Sequence, residues 1–505
     1  MKSDTSLPYH EPSIEVILVQ SSLLILLNVV NKIVDSVLYC GLLGQIFLGI
    51  AWGTPGGKFL TEGAEQTIVQ LGYLGLLLLV FHGGLSTDFH SLKANVFLSM
   101  GVALTGICAP IGLSYILLPL VGATPLQAFA AGAALCATSL GTTFTVLSTT
   151  GLATTRMGVV LSAAAMMDDV VGLVMVQVIS SLGTNSSSFS ATVVIRPVFV
   201  AIAFSIVVPV VGRWIVQPLT IKLNAHRVKH PKGTVNRALT SKFSGLTIHT
   251  LLLIGLVAGS SYAGTSNLFA AYIAGAVISW WDHIVPHPKF EGNQCPSGES
   301  VYDTYFAPAV KRILTPFFFA SIGFSIPISE MFTGAIVWRG IAYAVLMMVG
   351  KWFCGLWLVR FQKSSESSTD KQTKKKKSEK SKKSTTKTAN STSPGTSKPE
   401  EEPPEKQPNP SHTKPARRPT SLYPALILGN AMVARGEIGF LISSLAQSTG
   451  VFNPDLFLIT TWAILVCTVI GPLIVGTLVR RVKKLEAKKP QTGTNHHVLG
   501  VWGVQ

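Results

Sequence analysis

Charge is what this sequence has least of. Only 13% of its 505 residues are Asp, Glu, Lys or Arg, while 48% are hydrophobic. A soluble globular chain carries about 25% charged residues. That shortage, with repeated apolar runs of about 20 residues, excludes a soluble fold and indicates a polytopic membrane protein. Cysteine is also scarce. The six present are Cys40, Cys108, Cys136, Cys295, Cys354 and Cys467. They show neither disulfide nor metal-ligand spacing. All but Cys295 sit in apolar runs and read as small packing residues. No basic region precedes the first apolar run, which argues against a cleavable signal peptide. The net charge of +17 would suit nucleic acid, but its distribution does not. Residues 363–420 hold 15 Lys/Arg and 7 Asp/Glu, so this one stretch carries +8. Most of the remaining excess lies in short loops, as it does in membrane proteins.

The apolar runs, in order, are Ile14–Val37, Leu38–Trp52, Thr67–Leu85, Val96–Val121, Leu126–Thr149, Met157–Leu182, Ala191–Leu223, Leu246–Ala263, Ser266–Trp281, Tyr305–Ile328, Phe332–Phe361, Leu422–Ser448 and Pro454–Val482. They predict an all-α membrane protein with about 13 transmembrane helices. An odd number of spans puts the termini on opposite sides. Loops after odd-numbered runs are basic: Thr154–Arg156, Lys222–Lys242, residues 363–420 and Arg480–Lys489. Loops after even-numbered runs are not: Gly53–Gln66 has more Glu than Lys, and Gly183–Phe189 has no charge. The expected N-terminus is therefore outside or lumenal and the C-terminus cytoplasmic. The sequon Asn185-Ser-Ser then falls on the outer side. Plasma membrane, vacuole and Golgi all remain open. The domain plan is a tail at 1–13, a membrane domain in two parts at 14–362 and 421–484, and a cytoplasmic tail at 485–505. Between the two parts, residues 363–420 are a basic loop of Lys, Ser, Thr and Pro, too polar to bury a core and expected to be disordered.

Asp168 and Asp169 stand side by side in the run Met157–Leu182. A carboxylate at bilayer depth costs roughly 2.5–3.5 kcal/mol on insertion scales. Two adjacent ones also repel when both are ionised. Such a cost fits a site that holds a proton at one moment and a cation at another. An intramembrane aspartyl protease also needs two aspartates, but on separate helices and commonly in Gly-x-Gly-Asp, which is absent here. Neighbours on one helix point about 100° apart.

Two other runs are interrupted. The fifth contains Thr138, Ser139, Gly141, Thr142 and Thr143, and the twelfth contains Gly429-Asn-Ala-Met-Val-Ala-Arg-Gly-Glu-Ile-Gly439. These runs are seven apart and so point in opposite directions. Broken helices in matching places of an inverted repeat mark a transporter's midplane site. Unwound backbone is tolerated where it lines a cavity. Lys351 lies inside the eleventh run with no carboxylate nearby in sequence. A lysine at that depth needs a partner, and the aspartate pair is the obvious one; snorkelling to the interface is the alternative. Arg435 and Glu437 are two residues apart and face different directions, so each seeks a separate partner or lines the break.

Together these residues resemble the monovalent cation:proton antiporter-2 family, the Na+(K+)/H+ exchangers, and most closely its fungal members. The resemblance covers residues 14–362 and 420–484. It rests on Ala137-Thr-Ser-Leu-Gly141, Met167-Asp-Asp-Val170, Lys351 and Ala434-Arg-Gly-Glu-Ile438. It implies inverted five-helix repeats with two crossing discontinuous helices, and a core domain that moves like an elevator against a dimerisation domain. It further implies that Asp169 binds the ion and the proton. Asp168 would pair with Lys351, and Thr138 and Ser139 would offer oxygens to the monovalent cation, a hard ion. Members with Asp at position 168 are typically electrogenic; electroneutral relatives usually carry Asn. His82, in Val80-Phe-His-Gly-Gly84, stands where relatives usually have an apolar residue. It either tunes pH response or packs at a helix end. No nucleotide-binding domain is expected after the last run.

The expected protein is thus a transporter rather than an enzyme, working without a cofactor. Its partners are monovalent cations (Na+, K+ or Li+), protons, membrane lipids and a second copy of itself, but no nucleic acid. The resemblance places the dimer surface on runs 1–3 and 8–10. Its expected role is pH and alkali-cation homeostasis. A cation channel or a non-transporting ion sensor on the same scaffold is the alternative.

Overall fold

The structure is a computed structural model. It describes residues 9, 11–38, 40–87, 89–139, 152, 155–184, 191–230, 233–285, 297–359, 421–487, 499 and 502. Among these residues every regular element is helical. The principal helices are α1 (Ile14–Leu38), α2 (Leu42–Trp52), α3 (Glu62–Leu85), α4 (Phe89–Ser114), α5 (Pro125–Cys136), α6 (Arg156–Thr184), α7 (Ala191–Val211), α8 (Lys242–Ala263), α9 (Asn267–Ile284), α10 (Thr315–Phe324), α11 (Gly334–Trp352), α12 (Tyr423–Ala431), α13 (Glu437–Ser448) and α14 (Pro454–Ala487). Among the described residues eight helices are long and apolar enough to cross a bilayer: α1, α3, α4, α6, α7, α8, α11 and α14. The chain divides into two units, Met1–Leu358 with Tyr423–Gln505, and Val359–Leu422. The basic stretch 363–420, like the sequon at Asn185, lies outside the described residues.

Local chemistry sets the helix ends. Thr124 and Gln127 form a capping box at the start of α5, with hydrogen bonds of 3.2 and 2.9 Å, and Pro125 follows where its missing N–H costs nothing. Gly264 ends α8 in the left-handed conformation at φ 81°, which glycine adopts without a Cβ clash.

Several apolar runs are subdivided. The run expected at Leu126–Thr149 has left its helix by Cys136. The run Leu422–Ser448 is two helices, with Met432–Gly436 unwound between them. Two wide π turns, Gly212–Val216 and Val310–Leu314, precede Pro218 and Pro316. A proline ring clashes with the carbonyl four residues back, and widening the turn relieves it. The Arg312 carbonyl stands at that position before Pro316. The Asn28 amide of α1 donates to it at 2.8 Å.

α1, α2, α3, α8, α9 and α10 pack as one bundle, and α4, α5, α6 and α11–α14 as another. In the first bundle two crossings are made backbone to backbone. A Cβ on Gly49 of α2 would run into the Ala320 carbonyl, and one on Gly323 of α10 into the Ile46 carbonyl. Gly84 of α3 and Gly275 of α9 face the Tyr272 and Phe81 carbonyls in the same reciprocal way. Half or more of the central residues of α6, α11 and α14 are inside, against a ninth in α1. Many large apolar residues of α1, α7 and α8, among them Ile25, Phe199 and Leu251, are exposed, as a face toward lipid requires, while Leu23, Leu27, Ala201 and Leu253 are buried.

Candidate functional site

The two unwound segments cross in the middle of the second bundle. Past the end of α5, the backbone N–H of Ser139 donates to the Ala434 carbonyl at 2.9 Å. Gly436 makes that approach feasible, since a Cβ there would lie 2.7 Å from the Ser139 hydroxyl oxygen. α6 lies against the crossing through Gly172, where a Cβ would stand 3.0 Å from side-chain carbons of Ala137 and Ile438.

Three polar side chains meet beside the crossing. Lys351 Nζ of α11 lies 2.6 Å from Asp168 Oδ2, and both side chains are 0% exposed. The ammonium also donates to the Cys136 carbonyl at 2.5 Å and the Thr138 hydroxyl at 2.9 Å, which uses all three of its N–H groups. Thr138 in turn donates to Asp168 Oδ2 at 2.6 Å. The other oxygen, Asp168 Oδ1, is buried without a hydrogen-bond partner. α4 leaves room for the amine at Gly106, where a Cβ would lie 3.1 Å from Nζ. Lys351 therefore does not snorkel.

Arg435 is fully buried beside this group. Its Nη1 donates to the Ala137 carbonyl at 3.0 Å and the Cys136 carbonyl at 3.3 Å. Two cations thus face the C-terminal end of α5, whose free carbonyls carry a partial negative charge. Glu437 begins α13, where a carboxylate meets the positive end of a helix dipole. Fixed charge of each sign is matched to a helix end at the break.

Asp169 points elsewhere, as one step of about 100° around a helix requires. It lines a cavity of about 370 Å³ shared with Glu437, Ser139, His82, Asn31 and Asp35. His82 is half-buried, its ring stacked on Tyr302 at 4.4 Å between centroids. Asp35 is exposed, so the cavity reaches the surface where α1 ends. The adjacent aspartates therefore occupy different surroundings. Asp168 is sealed against a lysine, and Asp169 faces space that an ion could enter.

The sequence-predicted residues sort accordingly. Asp168, Thr138, Lys351 and Arg435 form the closed cluster; Asp169, Ser139, Glu437 and His82 line the cavity. The hydroxyls of Thr138 and Ser139 were expected to serve the cation together. Here the Thr138 hydroxyl is taken up between Lys351 and Asp168, and Ser139 is the one on the cavity. Gly141 and Thr142 lie outside the described residues. Asn31 and Asp35 escaped the reading of the sequence. Their spacing of four on a helix, which puts both on one face, was the available signal. Among the described residues no three His, Cys, Asp or Glu side chains converge as a divalent-metal centre would need.

The family described as "Sodium/hydrogen exchanger, transmembrane" matches residues 22–481. The Na+/H+-K+ antiporter GerN of Bacillus cereus is 24% identical over 88% of this chain and 92% of its own length. The probable Na+/H+ antiporter GerT of the same organism is 29% identical over 56% of this chain and 67% of its own. The sodium proton antiporter MjNhaP1 of Methanocaldococcus jannaschii, solved at pH 8, has a similar fold. Its TM-score is 0.57 at 15% identity, covering 93% of this chain and 99% of that one.

Proposed function

The chain belongs to the sodium/hydrogen exchanger family, and on that premise we propose that it is a secondary active antiporter, exchanging a monovalent cation for protons across its membrane. One observation carries the assignment of roles: Asp169 faces the cavity while its neighbour Asp168 is closed against Lys351. Asp169 takes a proton when its cation leaves and releases it when the next cation binds. Ser139 and Glu437 offer further oxygens on the same cavity. The names of the relatives make Na+ and K+ the first cations to test.

The protein is an integral, multi-pass membrane protein. With the N-terminus outside, α1 ends on the cytoplasmic side. The cavity, bounded by the end of α1, the start of α2 and the later half of α3, then opens inward. The thirteen apolar runs act as thirteen spans in inverted repeats, with α5 and the α12–α13 pair as the discontinuous crossing helices. The bundle containing α6, α11 and the crossing is the moving core; the bundle of α1–α3 and α8–α10 is the scaffold and dimer surface. Exchange is electrogenic, because a core carrying the Asp168–Lys351 pair offers its second charge to the cycle. His82, on the cavity wall with its ring stacked on Tyr302, tunes the response to pH.

The test is proton flux in proteoliposomes. With a pH gradient set, addition of Na+, K+ or Li+ dissipates it, and the rate follows an imposed membrane potential. Dissipation indifferent to potential keeps the antiporter and removes electrogenicity. No response to any of the three cations from folded protein refutes the reading in favour of a sensor. Cation flux with no counterflow of protons refutes it in favour of a channel.

A further inference from the structure

After α14 the chain returns to the protein at two residues. Leu499 is 2% and Trp502 4% exposed. The Trp502 backbone N–H donates to the Leu499 carbonyl at 3.3 Å, so a single turn presents both side chains together. The groove they fill belongs to a buried apolar cluster that includes Val102 of α4, Met157 and Val160 of α6, Leu358 beyond α11, and Val479 and Val482 of α14.

Two polar contacts fix the tryptophan. Its indole N–H donates to the Leu358 carbonyl at 3.1 Å. That carbonyl closes a short 3-10 extension of α11, where a helix end leaves acceptors free. On its other side the Arg156 guanidinium lies over the ring, 5.3 Å from the centroid. Arg156 is the first residue of α6, a position where a cation opposes the helix dipole. The negative face of an indole is an attractive counterpart for it. The same side chain therefore touches the start of the helix bearing Asp168 and the end of the element bearing Lys351.

We propose that this groove is a peptide-binding site for an aromatic-anchored turn, filled in cis by Leu499 and Trp502, and that its occupancy sets the exchange rate. Docked, the turn holds α6 and α11 in the register that closes Asp168 on Lys351. Undocked, that register loosens and exchange slows. The rate claim rests on the antiporter reading; the binding claim does not.

The experiment uses the full chain carrying Leu499→Ala and Trp502→Ala, which vacates the groove. A fluorescent peptide of residues 495–505 is titrated against it and against the wild type, in micelles. A tethered ligand competes at an effective concentration of about millimolar, so the peptide binds the variant at least about tenfold more tightly than the wild type. The same peptide with alanine for Trp502 binds neither. Equal binding to both proteins, or binding to neither, overturns the site. In proteoliposomes with peptide on both faces, the variant exchanges at least about threefold more slowly than the wild type, and peptide restores the rate, as refilling a linked site requires. Unchanged exchange, or slowed exchange that bound peptide fails to restore, overturns the rate claim. Arg156→Gln provides a second variant that keeps the groove apolar. Added to the vacated variant, it removes the cation–π contact and lowers the peptide's affinity about threefold, and an unchanged affinity counts against the anchor.

Discussion

The Asp168–Lys351 pair can be tested by taking each charge away and then both. At 2.6 Å and an effective dielectric of about 20, the attraction is about 6 kcal/mol. Desolvation costs several kcal/mol per ion and offsets most of this. The pair is therefore worth little net, yet losing one member is expensive. Lys351→Met leaves Asp168 Oδ2 with Thr138 alone and Oδ1 with no partner. Asp168→Asn leaves the ammonium with one neutral carbonyl and one hydroxyl. Each single change is expected to cost about 3–5 kcal/mol. The double change removes both buried charges, and the Cys136 carbonyl keeps its bond from Arg435. It is expected to cost less than either single change, with a coupling energy of about 3 kcal/mol or more. The assay is equilibrium unfolding in mixed micelles titrated with dodecyl sulfate. Additive losses, with the double variant the weakest of the three, would show that the two charges do not hold one another.

Four further outcomes are expected. Asp169→Asn abolishes cation-driven proton flux at unchanged expression and melting temperature; residual flux above about a tenth of wild type would remove Asp169 from the ion-binding role. Asp168→Asn combined with Lys351→Met leaves any remaining exchange indifferent to membrane potential, read by clamping with valinomycin and K+ during Na+/H+ exchange. Gly436→Ala sets a Cβ 2.7 Å from the Ser139 hydroxyl oxygen and pushes the two unwound segments apart; exchange falls at least about tenfold, as it does when site geometry shifts by about an ångström. Asp35→Cys, in a background with the exposed Cys108 and the loop residue Cys295 changed to Ser, reacts with a membrane-impermeant maleimide from the cytoplasmic side only; labelling from outside would reverse the assigned topology.

Much of this fold was legible because lipid imposes simple rules. Every apolar run contains helix, since backbone in hydrocarbon has few other ways to satisfy its hydrogen bonds. Lys351 and the aspartates were legible for the same reason, because charge at that depth must find a partner. What the sequence could not reveal is how backbone groups were served over long separations. Arg435 bonds to carbonyls 298 and 299 residues away, and nothing in its neighbourhood encodes that. The break after Cys136 was legible in Thr138, Ser139, Gly141, Thr142 and Thr143, which interrupt the apolar run. The π turns before Pro218 and Pro316 are a proline effect whose outcome, kink or widening, depends on what receives the freed carbonyl. Asp35 was overlooked at the end of an apolar run, where a charged residue is ordinarily just the edge of the membrane.

The reciprocal glycine crossings have a mechanical consequence. Where α2 meets α10 and α3 meets α9, backbone rests on backbone with no side chain between, so there is nothing there to change rotamer and absorb a displacement. Such joints are stiff. The boundary between α6 and the end of α3 is the opposite: a cavity of about 370 Å³ lies there, lined by Met166, Asp169 and Leu173 of α6 and by Leu79, Val80 and His82 of α3. Under load the glycine joints would stay fixed while the gap opens or shuts. An alanine at Gly49 or Gly275 would then damage transport without approaching the ion, much as a bent hinge plate stops a door whose latch is intact.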